Sequence, residues 1–248
     1  MLAAATVAST ALTAAPVDLT MHATYDSLAQ RAIKLREART ADAATWIGIA
    51  GGPGAGKSTL AAAVAERVNQ QRGKECCVVL PMDGFHYSRE ELRRLDPPDA
   101  DSYLPRRGAP WTFDAEALIE CLTAAKRAGT AQLPTYSRVK SDPVPGGVEL
   151  LPSHEIVLVE GNYLLLDDER WAPLAALWDE RWFVRCASAA EQRKRLIARH
   201  LETWSEAKAA FWGEGEAGAA ARADANDVLN MELIAPSQKH ADLTIESL

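Results

Sequence analysis

Residues Gly51-Gly52-Pro53-Gly54-Ala55-Gly56-Lys57-Ser58 place a lysine and a hydroxyl directly behind a glycine-rich run. Such a run lets successive backbone N–H groups turn toward a phosphate with no Cβ in the way, and the spacing is that of the nucleotide phosphate loop. Lys57 at this place neutralises β- and γ-phosphate oxygens, and the Ser58 hydroxyl can ligate Mg²⁺. Gly52, Gly54, Ala55, Gly56, Lys57, Ser58 and Thr59 are therefore expected to hold the triphosphate of ATP. A glycine-rich turn that binds nothing would need neither the lysine nor the serine. The loop alone does not separate a kinase from a GTPase or an ATP-driven motor, because all three use it.

Two carboxylates follow apolar runs of strand type. Cys76–Met82 leads into Asp83, and Val157-Leu158-Val159 leads into Glu160. In a parallel sheet both would stand at carboxyl ends of strands, beside the phosphate loop. Asp83 could there accept the proton of an acceptor hydroxyl and help to hold Mg²⁺; alternatively it caps the bend at Gly84. Glu160 could orient Mg²⁺ or touch the acceptor, or serve a structural ion pair. Further on, Arg195 and Arg199 lie four apart in a basic segment that also holds Arg193, Lys194 and His200. A guanidinium closing over the γ-phosphoryl group would stabilise its spreading charge; a solvated basic face is the competing reading. Arg106, Arg107, Arg138 and Lys140 occupy Pro-rich connections and either bind an anionic acceptor or solubilise loops. Tyr87, Tyr103, Trp111 and Tyr136 wall the pocket or simply pack. His154 and His240 have no partner at metal-ligand spacing.

These residues need a scaffold. Residues 24–40 carry apolar positions at helical spacing. Thr45–Ala50 reads as a strand, Lys57–Gln71 as a helix and Cys76–Met82 as a second strand. Ser88 to Pro110 is polar and Pro-rich and reads as a functional loop. Asp114 caps a helix running to about Arg127. Ile156–Glu160 and Trp182–Cys186 are strands, Ala189–Ala210 and Ala221–Leu233 helices, and Ala241–Glu246 a closing strand. Alternation of strands and helices predicts an α/β fold of three layers, a mostly parallel sheet between helices, with a small helical lid at about 189–215.

At 248 residues one domain is expected, spanning 21–248. Hydrophobic residues make up 48% and charged residues 25%, which excludes a disordered or fibrous chain. A net charge of −7 gives no general attraction for nucleic acid or an anionic membrane, so neither is an expected partner. Cys76, Cys77, Cys121 and Cys186 form no disulfide or metal spacing, which fits a reducing, cytoplasmic setting. Residues 1–20 are Ala- and Thr-rich, with no Lys or Arg before Arg31, unlike a targeting segment. They read as an extension ahead of an alternative start at Met21. Homodimerisation is left open.

The set Met82-Asp83-Gly84-Phe85-His86, Pro134-Thr135-Tyr136-Ser137, Val159–Leu165 and the Asn226–Asn230 segment resembles the P-loop kinases grouped with uridine kinase, phosphoribulokinase and bacterial-type pantothenate kinase. The resemblance spans about residues 45–246. It is closest to uncharacterised, sugar-transport-associated kinase-like members, which share the Arg106–Asp114 pattern. It implies an ATP- and Mg²⁺-dependent enzyme that phosphorylates a hydroxyl of a small metabolite such as a sugar, an organic acid or a pantothenate-like compound. It further implies Asp83 as catalytic base, Lys57 and Ser58 on phosphate and metal, Glu160 near the metal, lid residues around Arg195 and Arg199, and substrate contacts at His86, Arg107 and Tyr136. Two departures keep the acceptor open. Tyr136-Ser137 is followed by Arg138 where pantothenate kinases carry histidine, and Asp83-Gly84-Phe85 replaces the Asp-Phe-Tyr of uridine kinases. A nucleoside kinase and a regulatory NTPase without a small-molecule acceptor are the competing readings.

Overall fold

The structure, a computed structural model, describes residues 21–39, 43–95, 103–137 and 139–248. The extension 1–20 and Arg138 lie outside the described residues.

Among the described residues, five largely apolar strands of five to seven residues, with helices in the connections between them, form a parallel sheet. In chain order the elements are α1 (His22–Glu37), β1 (Thr45–Ala50), α2 (Lys57–Arg72), β2 (Cys77–Pro81), α3 (Arg89–Arg94), α4 (Ala115–Ala128), β3 (Ala131–Ser137), β4 (Asp142–Leu150) and β5 (Ile156–Glu160). They continue with β6 (Glu180–Cys186), α5 (Ala189–Glu202), α6 (Glu206–Trp212), α7 (Gly215–Arg222), α8 (Leu229–Ile234) and β7 (Leu243–Ser247). The sheet order is β2-β5-β1-β6-β7. From β1 the chain crosses outward to β2, and β5 then fills the gap between them before β6 and β7 build on the other side of β1. The order therefore reverses at β1 and β5, and ligands of such sheets bind in the crevice at the carboxyl ends there.

Side chains alternate along each strand, and both faces are buried. Ile47, Ile49, Leu158, Trp182 and Val184 pack on one face under α1 and α2, meeting Leu28, Leu60, Val64 and Val68. Trp46, Ala50, Val157, Val159 and Phe183 pack on the other, against Leu118 and Leu122 of α4 and the ring of Trp171. Complete burial on both sides explains why these strands read as unbroken apolar runs.

Five expectations need correction. The second strand ends at Pro81, and Asp83 sits in a 3-10 turn, Met82–Phe85, one step beyond it. The stretch from Ser88 is not all loop, since Ser88 and Glu91 form a reciprocal capping box that nucleates α3. The Pro-rich connections around Tyr136 and Lys140 are an antiparallel hairpin, β3 with β4, because Pro134 and Pro143 lie on a two-stranded ribbon whose edges tolerate a missing N–H. The basic helix stops at Glu202, and a new helix starts after Ser205, so the helix expected over Ala189–Ala210 is two, α5 and α6. The helix expected over Ala221–Leu233 is interrupted by a π turn, Ala223–Val228. Among the described residues no helix is long and apolar enough to cross a membrane.

Candidate active site

The glycines of the loop are there for backbone geometry and for space. Gly56 caps α2 with φ +89, a left-handed conformation that residues with a Cβ adopt only with strain. The helix that follows presents its first N–H groups and the positive end of its dipole to the cleft. Ser58 is exposed there and Thr59 half-buried, whereas Ala55 is buried behind the loop. The cleft has a volume of about 750 Å³ and joins the loop to the strand ends.

Lys57 is buried and donates to the carbonyl of Gly52 at 3.0 Å and to Asn162 Oδ1 at 2.7 Å. Burial pulls its ammonium below the ordinary lysine range, opposed by the carboxylates of Glu160 and Asp83. These three groups thus share one electrostatic neighbourhood. Glu160 is buried at the end of β5, in register with Ile49 of β1 and Pro81 of β2. Asp83 faces the same cleft from its turn. That turn is held against β3 at Gly84, where a Cβ would stand 2.0 Å from the Pro134 carbonyl oxygen.

His86 donates from Nδ1–H to the Asp83 carbonyl oxygen, 2.8 Å away, and its ring lies 3.8 Å from the Phe113 ring and 4.9 Å from the Tyr136 ring. Desolvation in that sandwich is the main cause of a lowered imidazole pKa, with Asp83 opposing it. The imidazole is accordingly neutral near pH 7. Arg107 lines the cleft and donates through Nη2 to the Tyr87 carbonyl at 2.8 Å and to Asp142 at 2.9 Å. Tyr136 stands one layer back, under the Arg107 guanidinium at 5.5 Å, and does not line the cleft.

The helical segment closes the far wall. Gln192 Nε2 donates to the Pro53 carbonyl at 2.7 Å, which ties α5 to the phosphate loop. Arg195 lines the cleft beside Ser247, to which it donates at 3.1 Å, and pairs with Glu191 at 3.5 Å. Arg199 reaches Asp227 at 3.4 Å, and the same carboxylate meets His200 Nε2 at 2.7 Å. The π turn aims Asn226 and Asp227 at the cleft from consecutive positions, a feature typical of functional segments.

The structure brings Lys57, Ser58, Thr59, Asp83, His86, Arg107, Glu160, Arg195 and Arg199 to one cleft. It does not bring Tyr87, Tyr103 or Trp111 to the cleft lining; Trp111 lies under Arg106 at 5.1 Å, and Tyr87 OH accepts from Arg170 at 3.4 Å. Arg106 is taken up by Asn226 and Asn230, and Lys140 is exposed in the hairpin turn. Asn162, Asp227, His200 and Arg222 also line the cleft; the first three fall in segments quoted from the sequence but were given no role there. Asn162 follows Glu160-Gly161 directly, a signal that was available; Arg222 carried none.

Hard oxygen donors at Ser58, Asp83 and Glu160 suit Mg²⁺. Among the described residues no cluster of three or more His, Cys, Asp or Glu could hold a metal ion. The set therefore fits a Mg²⁺ whose shell is completed by nucleotide phosphates and water, its usual mode.

Residues 46–200 match the model of the Phosphoribulokinase / Uridine kinase family. Over 234 residues, 94% of either chain, the protein is 35% identical to a Schizosaccharomyces pombe protein provisionally named a uridine kinase. Over 132 residues it is 33% identical to a pantothenate kinase of Bacillus velezensis, a match covering 51% of this chain and 40% of that one. The crystal structure of a provisionally named fructose transport system kinase from Silicibacter sp. TM1040 superimposes with a TM-score of 0.75 at 31% identity, covering 89% of this chain and 98% of the other.

Proposed function

Because the chain belongs to the phosphoribulokinase / uridine kinase family, we propose that it transfers the γ-phosphate of ATP to a hydroxyl of a small metabolite, with Asp83 as the base. The observation that carries this reading is the single cleft in which Lys57 lies within electrostatic reach of both Glu160 and Asp83. A binding site for nucleotide alone needs the lysine but not two carboxylates at the acceptor side.

In the proposed reaction the loop amides and Lys57 hold the triphosphate, and the acceptor hydroxyl lies against Asp83. As the hydroxyl oxygen bonds to the γ-phosphorus, its proton passes to the Asp83 carboxylate, and the bond from the γ-phosphorus to the β,γ-bridging oxygen breaks to leave ADP. When bound, Mg²⁺ supplies charge neutralisation of the phosphates, and Ser58, Asp83 and Glu160 are the residues that would hold it. Arg195 and Arg199 stand on the segment that would close over the transferring group, where added positive charge lowers the barrier. His86, neutral and wedged between two rings, offers a hydrogen bond without adding charge.

A screen with labelled ATP over nucleosides, sugars, sugar phosphates, pantothenate and hydroxy acids tests the reading. Transfer of label to one class supports it. Steady ATP turnover with no labelled acceptor anywhere in the panel would instead favour a regulatory NTPase.

A further inference from the structure

Two arginines that line this cleft have guanidinium nitrogens to which the described residues give no hydrogen-bond acceptor. Arg107 spends Nη2 on the Tyr87 carbonyl and Asp142, yet its Nε and Nη1 are buried with no hydrogen-bond partner. A buried donor without an acceptor costs on the order of 1–3 kcal/mol, more when charged. Arg222, at the end of α7, lacks a partner in a different way, because its nitrogens are not enclosed by protein. It is half-buried, lines the same cleft, and makes no side-chain hydrogen bond among the described residues. Burial pulls its guanidinium below the usual range, Asp227 opposes the fall and Arg199 adds to it. Asp227 makes no hydrogen bond to it and accepts instead from His200 and Arg199.

The two arginines belong to one neighbourhood. Tyr136 lies under Arg107 and within electrostatic reach of Arg222. Arg107 in turn acts on His86, next to the proposed base Asp83. Arg195 and Arg199 border the phosphate-loop side, so the triphosphate has its own cations. Of the aromatic residues that line the cleft, Phe113 is covered by His86 and Tyr25 is buried with its ring under Arg67, while Tyr87, Tyr103 and Trp111 are off it.

We infer that the acceptor is itself an anion, and that Arg107 and Arg222 bind its carboxylate or phosphate group while its hydroxyl lies at Asp83. This deepens the kinase reading and rests on it. A fork of guanidinium donors matches a planar carboxylate or a phosphate bidentately, and an acceptor of this kind gives Arg222 the partner that the described residues do not provide.

The first test needs no acceptor identity. The full chain is saturated with Mg²⁺ and a non-hydrolysable ATP analogue, which fills the phosphate loop, and is then titrated calorimetrically with inorganic phosphate and, separately, acetate. One of the two is expected to bind in the millimolar range, and which one binds tells phosphate from carboxylate. Arg222→Ala should weaken that binding at least tenfold and Arg222→Lys by less, with the preceding analogue titration reporting that each variant is folded. Absence of binding by both anions, or equal binding to Arg222→Ala, overturns the inference.

The second test compares turnover within matched pairs, glycerate with glycerol and a sugar phosphate with its parent sugar. The charged member should be preferred at least tenfold in kcat/KM, and Arg107→Ala should raise its KM more than it lowers kcat. Equal or better turnover of neutral members overturns the anionic acceptor and leaves the kinase standing. Failure to bind the ATP analogue strikes the kinase reading instead.

Discussion

Replacing Gly84 by alanine isolates how the turn that carries Asp83 is held. Its backbone is not in the left-handed region, so the glycine is required by space alone. An added Cβ would lie 2.0 Å from the Pro134 oxygen, 2.4 Å from its carbonyl carbon and 2.9 Å from Thr135 N, all backbone atoms of β3. Ordinary contact begins near 3.4 Å, so the turn and the hairpin must part by more than 1 Å. Overpacking of this kind costs about 1–3 kcal/mol, which in a chain of this size lowers Tm by roughly 2–12 °C. A displacement near 1 Å at a reacting group costs about 10²-fold in rate. Thermal unfolding and kcat with the acceptor identified by the labelled screen are measured on Gly84→Ala and on Gly73→Ala, where a Cβ meets nothing within 4 Å. The glycine at 73 has φ +64, so its variant reports backbone strain without crowding. If Gly84→Ala melts within 1 °C of the parent and keeps kcat within twofold, the hairpin does not brace the turn. If it loses stability but keeps kcat, Asp83 is not the positioned base.

Asp83→Asn keeps the shape of the side chain but cannot take the proton, and should lower kcat at least about a hundredfold while a titration shows ATP still bound; near-normal kcat would remove Asp83 from the role. Arg195→Ala and Arg199→Ala should each lower kcat more than they raise the KM for ATP, and equal changes in both would reduce these residues to binding. Lys57 gives a pH dependence. Its pKa is lowered in the folded protein, so between that value and the unfolded one the unfolded chain binds more protons, and stability without nucleotide rises with pH across this alkaline window. Nucleotide affinity runs the other way, falling as the ammonium deprotonates, and calorimetry in buffers of different ionisation enthalpy should show proton uptake on ATP binding there. Affinity flat through the window, or the same in Lys57→Met, would contradict it.

The phosphate loop was legible because its chemistry is local: glycine geometry, a lysine and a hydroxyl must be adjacent in sequence to curl around one phosphate group. Asp83 and Glu160 were legible too, since strands buried on both faces read as apolar runs and a carboxylate at the end of one stands out. The hairpin β3–β4 was hidden by its prolines, which signal loops in a single sequence but are harmless on a two-stranded ribbon. The break after Glu202 and the π turn at Ala223–Val228 were hidden because helix-forming residues run through both, and packing of the lid against the body decides the register.

Sequence by itself determined the nucleotide end of the site and the α/β class, both set by short-range spacing and by periodic burial. Only the tertiary structure decided what surrounds the acceptor. Asn162 on Lys57 and Asp227 between His200 and Arg199 are contacts between residues 27 to 105 positions apart, and Arg222 reaches the cleft with no side-chain hydrogen bond among the described residues. Whether such a charge is paired, buried or waiting for a partner depends on which chain segments meet in space, and no local pattern records that.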